Sequence, residues 1–77
     1  MPRLPVINHN KLEKVLKILG FEEIRQSGSH VFYKRKNDGK TTVVPRHNKD
    51  LGKGLLRRIL REIDLPVRDL EKWLRKI

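Results

Sequence analysis

Apolar residues recur along this chain with two periods, and the switch between them separates helices from a sheet. Leu12, Val15, Leu16 and Leu19 follow i, i+3, i+4, i+7 spacing and form one stripe of an amphipathic helix. That helix is predicted from about Lys11 to Leu19, after a short extended lead-in over residues 1–9 that holds Pro2 and Pro5. Asn10 suits the N-cap, and Glu13, three residues on, is placed to reach back to the cap's own N–H. Gly20 supplies the left-handed position after the helix, so that Phe21 can fold back on Leu16.

From Glu22 to Arg46 the period changes. Glu22–Gln26 reads as a strand, Ser27-Gly28-Ser29 as a tight connection, and His30–Arg35 as a second strand rich in sheet formers. Asn37-Asp38-Gly39 is a hairpin turn, since Asp-Gly readily takes positive φ. Thr41–Val44 is the third strand, ended by Pro45. The three make an antiparallel meander, too small to stand without helices on one face. A second helix starts between Asp50 and Gly54 and runs to Ile63, with Leu55, Leu56, Ile59, Leu60 and Ile63 on its apolar side. Leu65-Pro66 ends it, and Pro66 opens a last helix carrying Val67, Leu70, Trp73, Leu74 and Ile77. The expected fold is α+β: a double-stranded-RNA-binding-like α-β-β-β-α order with an extra C-terminal helix, in one domain over residues 1–77. Fold order alone licenses no function.

Charge changes the picture most. Nineteen Lys and Arg stand against nine Asp and Glu, a formal net charge of +10 on 77 residues. Such an excess repels itself until a polyanion neutralises it, and a phosphate backbone also releases counterions on binding. A basic surface kept for solubility is the other reading of the same number. The chain has no cysteine, so no disulfide, thiolate nucleophile or thiolate metal ligand is available. No apolar run approaches the ~20 residues of a membrane span, and no signal peptide is evident, which makes the cytoplasm the default.

Two polar clusters could carry chemistry. Arg25-Gln26-Ser27-Gly28-Ser29-His30 sets a small turn directly before a histidine at the head of the central strand. Gly28 lets a phosphate approach the backbone, Ser29 adds a hydroxyl, and Arg25 and Lys34 bring positive charge. Metal-independent RNA cleavage needs a base for the ribose 2′-OH, cations for the phosphorus-centred transition state, and an acid for the leaving 5′-oxygen. Histidine as a residue type can give or take a proton near neutrality. A hydrogen-bonded strand histidine is the other reading of His30. The second cluster is Pro45-Arg46-His47-Asn48-Lys49, leading into a helix whose first turn holds Lys53. Lysines there oppose the macrodipole but suit an anion, and a solvated turn is the competing reading. His9 has no evident role. No metal-site spacing, P-loop or dinucleotide fingerprint is present, so no cofactor is expected.

Leu19-Gly20-Phe21, Arg25 to His30, Thr42-Val43-Val44-Pro45-Arg46-His47, Lys53-Gly54 and Ile59-Leu60-Arg61 together resemble the HicA family, the toxins of HicA/HicB toxin–antitoxin pairs. The resemblance spans roughly residues 4–65. It implies a double-stranded-RNA-binding-like fold used as an mRNA endoribonuclease, with the family's catalytic histidine falling on His30, and a HicB-type antitoxin that silences it. Gly54-Leu55-Leu56 stands where the family often has Gly-Thr-Leu, so a threonine hydroxyl is absent there, and the C-terminal helix is longer than the usual tail. The alternative is a non-catalytic module that grips structured RNA by its phosphates. A small DNA-binding protein ranks below both, since no recognition helix stands out.

Overall fold

The N-terminal stripe forms a helix, α1 (His9–Ile18), in the computed structural model, which describes residues 3–77. Met1 and Pro2 of the expected lead-in lie outside the described residues. The helix begins earlier than its spacing predicts, because Asn8 and not Asn10 caps it: the Asn8 Oδ1 accepts from the Lys11 N–H at 3.2 Å. Leu12, Val15 and Leu16 are fully buried, as the stripe requires. Glu13 makes no capping box. Its carboxylate is buried on the sheet side.

Gly20, at φ 93°, turns the chain into β1 (Phe21–Ser27), followed by β2 (His30–Arg35) and β3 (Thr41–Pro45). The sheet is antiparallel throughout, in the order β1-β2-β3. Gly28 takes φ 58° at the first position of the two-residue β1–β2 loop, the sign a II′ hairpin turn demands. Asn37-Asp38-Gly39 forms the second turn, with Gly39 at φ 73°. There Asp38 accepts from the Arg35 guanidinium at 2.7 Å and from the Lys40 N–H at 3.1 Å.

Side chains alternate across the sheet. Val31, Tyr33, Thr42 and Val44 are buried under the helices, while His30, Phe32 and Lys34, with their β3 partners Pro45, Val43 and Thr41, share the opposite face. In β1 the register slips between Glu23 and Arg25, so Ile24 is an extra residue without a partner.

The second helix, α2 (Lys53–Glu62), packs beside β3 and buries Leu56, Ile59 and Leu60 in the core that α1 also enters. Helix α3 (Val67–Lys76) packs on α1 through buried Leu70, with Val67, Trp73 and Leu74 half-buried around it. The β3–α2 connection is tied down from both sides. Buried Leu51 donates its N–H to the Ile7 carbonyl at 2.9 Å, and Arg46 donates its N–H to the Ser29 carbonyl at 2.6 Å. Among the described residues no helix is long and apolar enough to cross a membrane.

Candidate functional site

Two polar arrangements lie on opposite sides of the sheet. The first is a groove of about 410 Å³ at the β3 edge, lined by His30, Val43, Pro45, His47, Leu55, Arg58 and Glu62. Its geometry follows from the ladder. His30 pairs with Pro45, and His47 lies two residues further along the same chain, so strand alternation returns it to the His30 side. The Arg46–Ser29 backbone bond extends the β2–β3 pairing and holds that segment against the β1–β2 turn. From α2, Leu55, Arg58 and Glu62 follow i, i+3, i+7 and close the other wall. Both histidines are exposed, which a proton carrier for an external substrate requires.

One carboxylate sits in this groove. Glu62 accepts from the Thr42 hydroxyl at 2.9 Å and stands 4.0 Å from the Arg58 guanidinium. Arg58 is half exposed, so that ion pair is weak and leaves the cation available to a stronger anion. Among the described residues, no three His, Cys, Asp or Glu side chains gather as a metal site would need.

The second arrangement is under the helices. Glu13 accepts from the Tyr33 hydroxyl, from Arg46 Nη2 at 2.6 Å, and shares a 2.6 Å contact with His9 Nδ1. Arg46 also donates to Glu23 at 2.9 Å and to the Gln26 side-chain oxygen at 3.3 Å. Burial pushes the Glu13 carboxyl up, but hydrogen bonds from Arg46, Tyr33 and His9 outweigh it and hold the group at about 2. Burial and the Glu13 carboxylate together drive the Tyr33 hydroxyl upward. This is a fully partnered polar core.

The predicted site residues therefore separate. His30 and His47 come together. Arg46 does not join them: two carboxylates match its charge on the far side of the sheet, so its position supports a structural role in place of the expected phosphate contact. His9, expected to be idle, belongs to the same network. Gly28 and Ser29 form the turn ahead of His30, and Lys34 is exposed four residues along the strand on the same face. The Arg25 guanidinium lies 4.0 Å over the Phe32 ring. Lys49 and Lys53 are exposed at the entrance to α2, whose Gly52 cap offers no side chain to the first N–H groups. Arg58 and Glu62 are additions. The sequence pattern sets Leu55 on the apolar side of α2, and nothing local says that Arg58 and Glu62 would join it in facing His30.

The family model for the HicA toxin of bacterial toxin–antitoxin pairs matches residues 10–65, from the first turn of α1 to just past α2. The chain belongs to the HicA toxin family. The matched segment of this HicA protein carries every residue of the groove, whereas α3 lies beyond it. No individually curated protein matches the chain. As a HicA toxin it is one half of a toxin–antitoxin pair, in keeping with the resemblance carried by the Gly28-Ser29-His30 and Val44-Pro45-Arg46-His47 strings.

Proposed function

We propose that this HicA protein is a metal-independent endoribonuclease that cleaves mRNA in the His30–His47 groove. The observation that carries the reading is the convergence of two exposed histidines and an available arginine in one groove. One imidazole removes the proton from a ribose 2′-OH, whose oxygen attacks the adjacent phosphorus. The other gives a proton to the departing 5′-oxygen, leaving a cyclic phosphate and a free 5′-hydroxyl. Arg58 balances charge on the non-bridging oxygens as the five-coordinate transition state forms. His30 is the principal acid–base group and His47 its partner. The exposed N-terminus of α2, with Lys49 and Lys53, holds a flanking phosphate. A cognate HicB-type antitoxin silences the toxin by covering the groove with acidic groups.

General acid–base assistance contributes ~10²–10⁴-fold, so His30→Ala lowers cleavage of a mixed RNA by at least about 10²-fold while circular dichroism stays unchanged. His47→Ala costs less, and EDTA leaves the wild-type rate unaltered. RNA binding persists in His30→Ala because the cations remain. Full cleavage by folded His30→Ala removes the histidine from the mechanism, and a wild type that binds RNA without cutting it restores the binding-module reading.

A further inference from the structure

The open face of the sheet is ordered in cross-strand rows. Ser27, His30 and Pro45 form one row, Arg25, Phe32 and Val43 the next, and Glu22, Lys34 and Thr41 the third. Successive rows lie about 7 Å apart along a strand. Val43 belongs both to the second row and to the groove wall, so Phe32 is the cross-strand neighbour of a groove residue.

Arg25 reaches this face only because of the β-bulge. Strict alternation from buried Phe21 would put residue 25 on the helix side. The extra residue, Ile24, reverses the phase, bringing Arg25 opposite Phe32 and turning Gln26 to the other side of the sheet, where it meets Arg46. The cost is visible, since Ile24 is left 54% exposed. What the bulge achieves is a guanidinium carbon 4.0 Å over the centroid of an aromatic ring, one row from His30.

We infer that the Arg25–Phe32 stack is a base-stacking subsite that receives an unpaired nucleobase next to the scissile phosphate. This deepens the proposed ribonuclease function by naming its substrate class, single-stranded RNA at the cut. An aromatic ring or guanidinium plane on a sheet takes a base that has left its stack, whereas the flat face of a paired duplex offers none. Charge agrees with this occupant: Arg25 and Lys34 line the face, and Glu22 opposes Lys34 only in the row farthest from His30. The inference separates this toxin from the shape-reading of duplex RNA that its element order would suggest.

The test uses His30→Ala protein, so that RNA survives, and a single-stranded RNA oligonucleotide carrying 2-aminopurine. Phe32→Leu and Arg25→Lys, each added to that background, should weaken binding about tenfold and abolish the quenching that marks a stacked base. Phe32→Trp should retain both. The Phe32→Leu salt slope should match its parent, because no cation is lost. With His30 restored, Phe32→Leu should raise KM more than it lowers kcat, and annealing a complementary strand should suppress cleavage by wild type. Unchanged affinity and quenching in both Phe32→Leu and Arg25→Lys overturn the subsite while leaving the ribonuclease standing. Loss of antitoxin binding with RNA binding intact would overturn it too, by making the face a protein interface. If wild-type protein neither binds nor cuts RNA, the functional reading fails first, and the subsite with it.

Discussion

Glu13 shows what a single carboxylate can do in a chain with ten excess positive charges. It draws Arg46, His9 and the Tyr33 hydroxyl to one point under the sheet. A carboxyl held at about 2, against 4.5 ordinarily, contributes stability that is complete above the ordinary value and disappears as pH falls through the lower one. The window thus runs from about pH 5 down to about pH 2, and the shift corresponds to about 3 kcal/mol. Glu13→Gln should lose on the order of 3 kcal/mol at neutral pH, since Arg46 keeps its charge beside a neutral amide. Its stability should then be flatter than the wild type's through that window, so the two curves converge near its acid end. Urea titrations at several pH values check this, and parallel curves would take Glu13 out of the acid response.

At the scale of the element, the β1–β2 hairpin is the part of the fold shaped most closely around the groove. Its turn sets His30 at the first position of β2, and its bulge sets Arg25 beside Phe32. Gly28 is required for its backbone and not for space: at φ 58° a Cβ would meet nothing within 4 Å. Gly28→Ala should therefore cost only the left-handed conformation, about 1–2 kcal/mol, and lower Tm without disturbing the core. A Tm equal to wild type would mean that the turn relaxes to another form. The second helix works differently. Its buried side anchors it beside β3, and its Leu55–Arg58–Glu62 side finishes a groove whose other wall is strand.

Across the whole molecule, four of the nine acidic residues stand in ion pairs with arginine among the described residues. Glu13 and Glu23 match Arg46, Asp38 matches Arg35, and Glu62 lies beside Arg58. Most of the remaining basic side chains face solvent, and Lys49 and Lys53 are exposed where α2 begins. RNA affinity should consequently fall steeply with salt, and replacing Lys49 and Lys53 together by Ala should weaken binding and flatten the slope by about two phosphate contacts. Filter binding across a salt series measures it; a salt-insensitive interaction would overturn the electrostatic account. The same field would speed capture by an acidic antitoxin.

Local pattern was enough to determine the order and type of the helices, strands and turns of this HicA protein, though not the cap of α1 or the bulge of β1. Apolar period and the punctuation of Gly20, Gly28, Gly39 and Pro66 are properties of neighbouring residues, and burial follows them closely: Leu12, Val15 and Leu16 lie inside as spaced. The strings around His30 and His47 also carried the family, because they are contiguous. Partner choice over long separations could be settled only by the tertiary structure. Arg46 meets Glu13 across 33 positions and Tyr33 meets it across 20, so neither Glu13's departure from the helix cap nor its pairing with Arg46 has a local signal. The bulge is hidden for a related reason. Ile24 suits a strand on either face, and only pairing with β2 reveals that one residue too many has turned Arg25 toward Phe32. The groove itself exists because α2 packs beside β3, an outcome of burying Leu56, Ile59 and Leu60 that brings Arg58 to the histidines as a consequence.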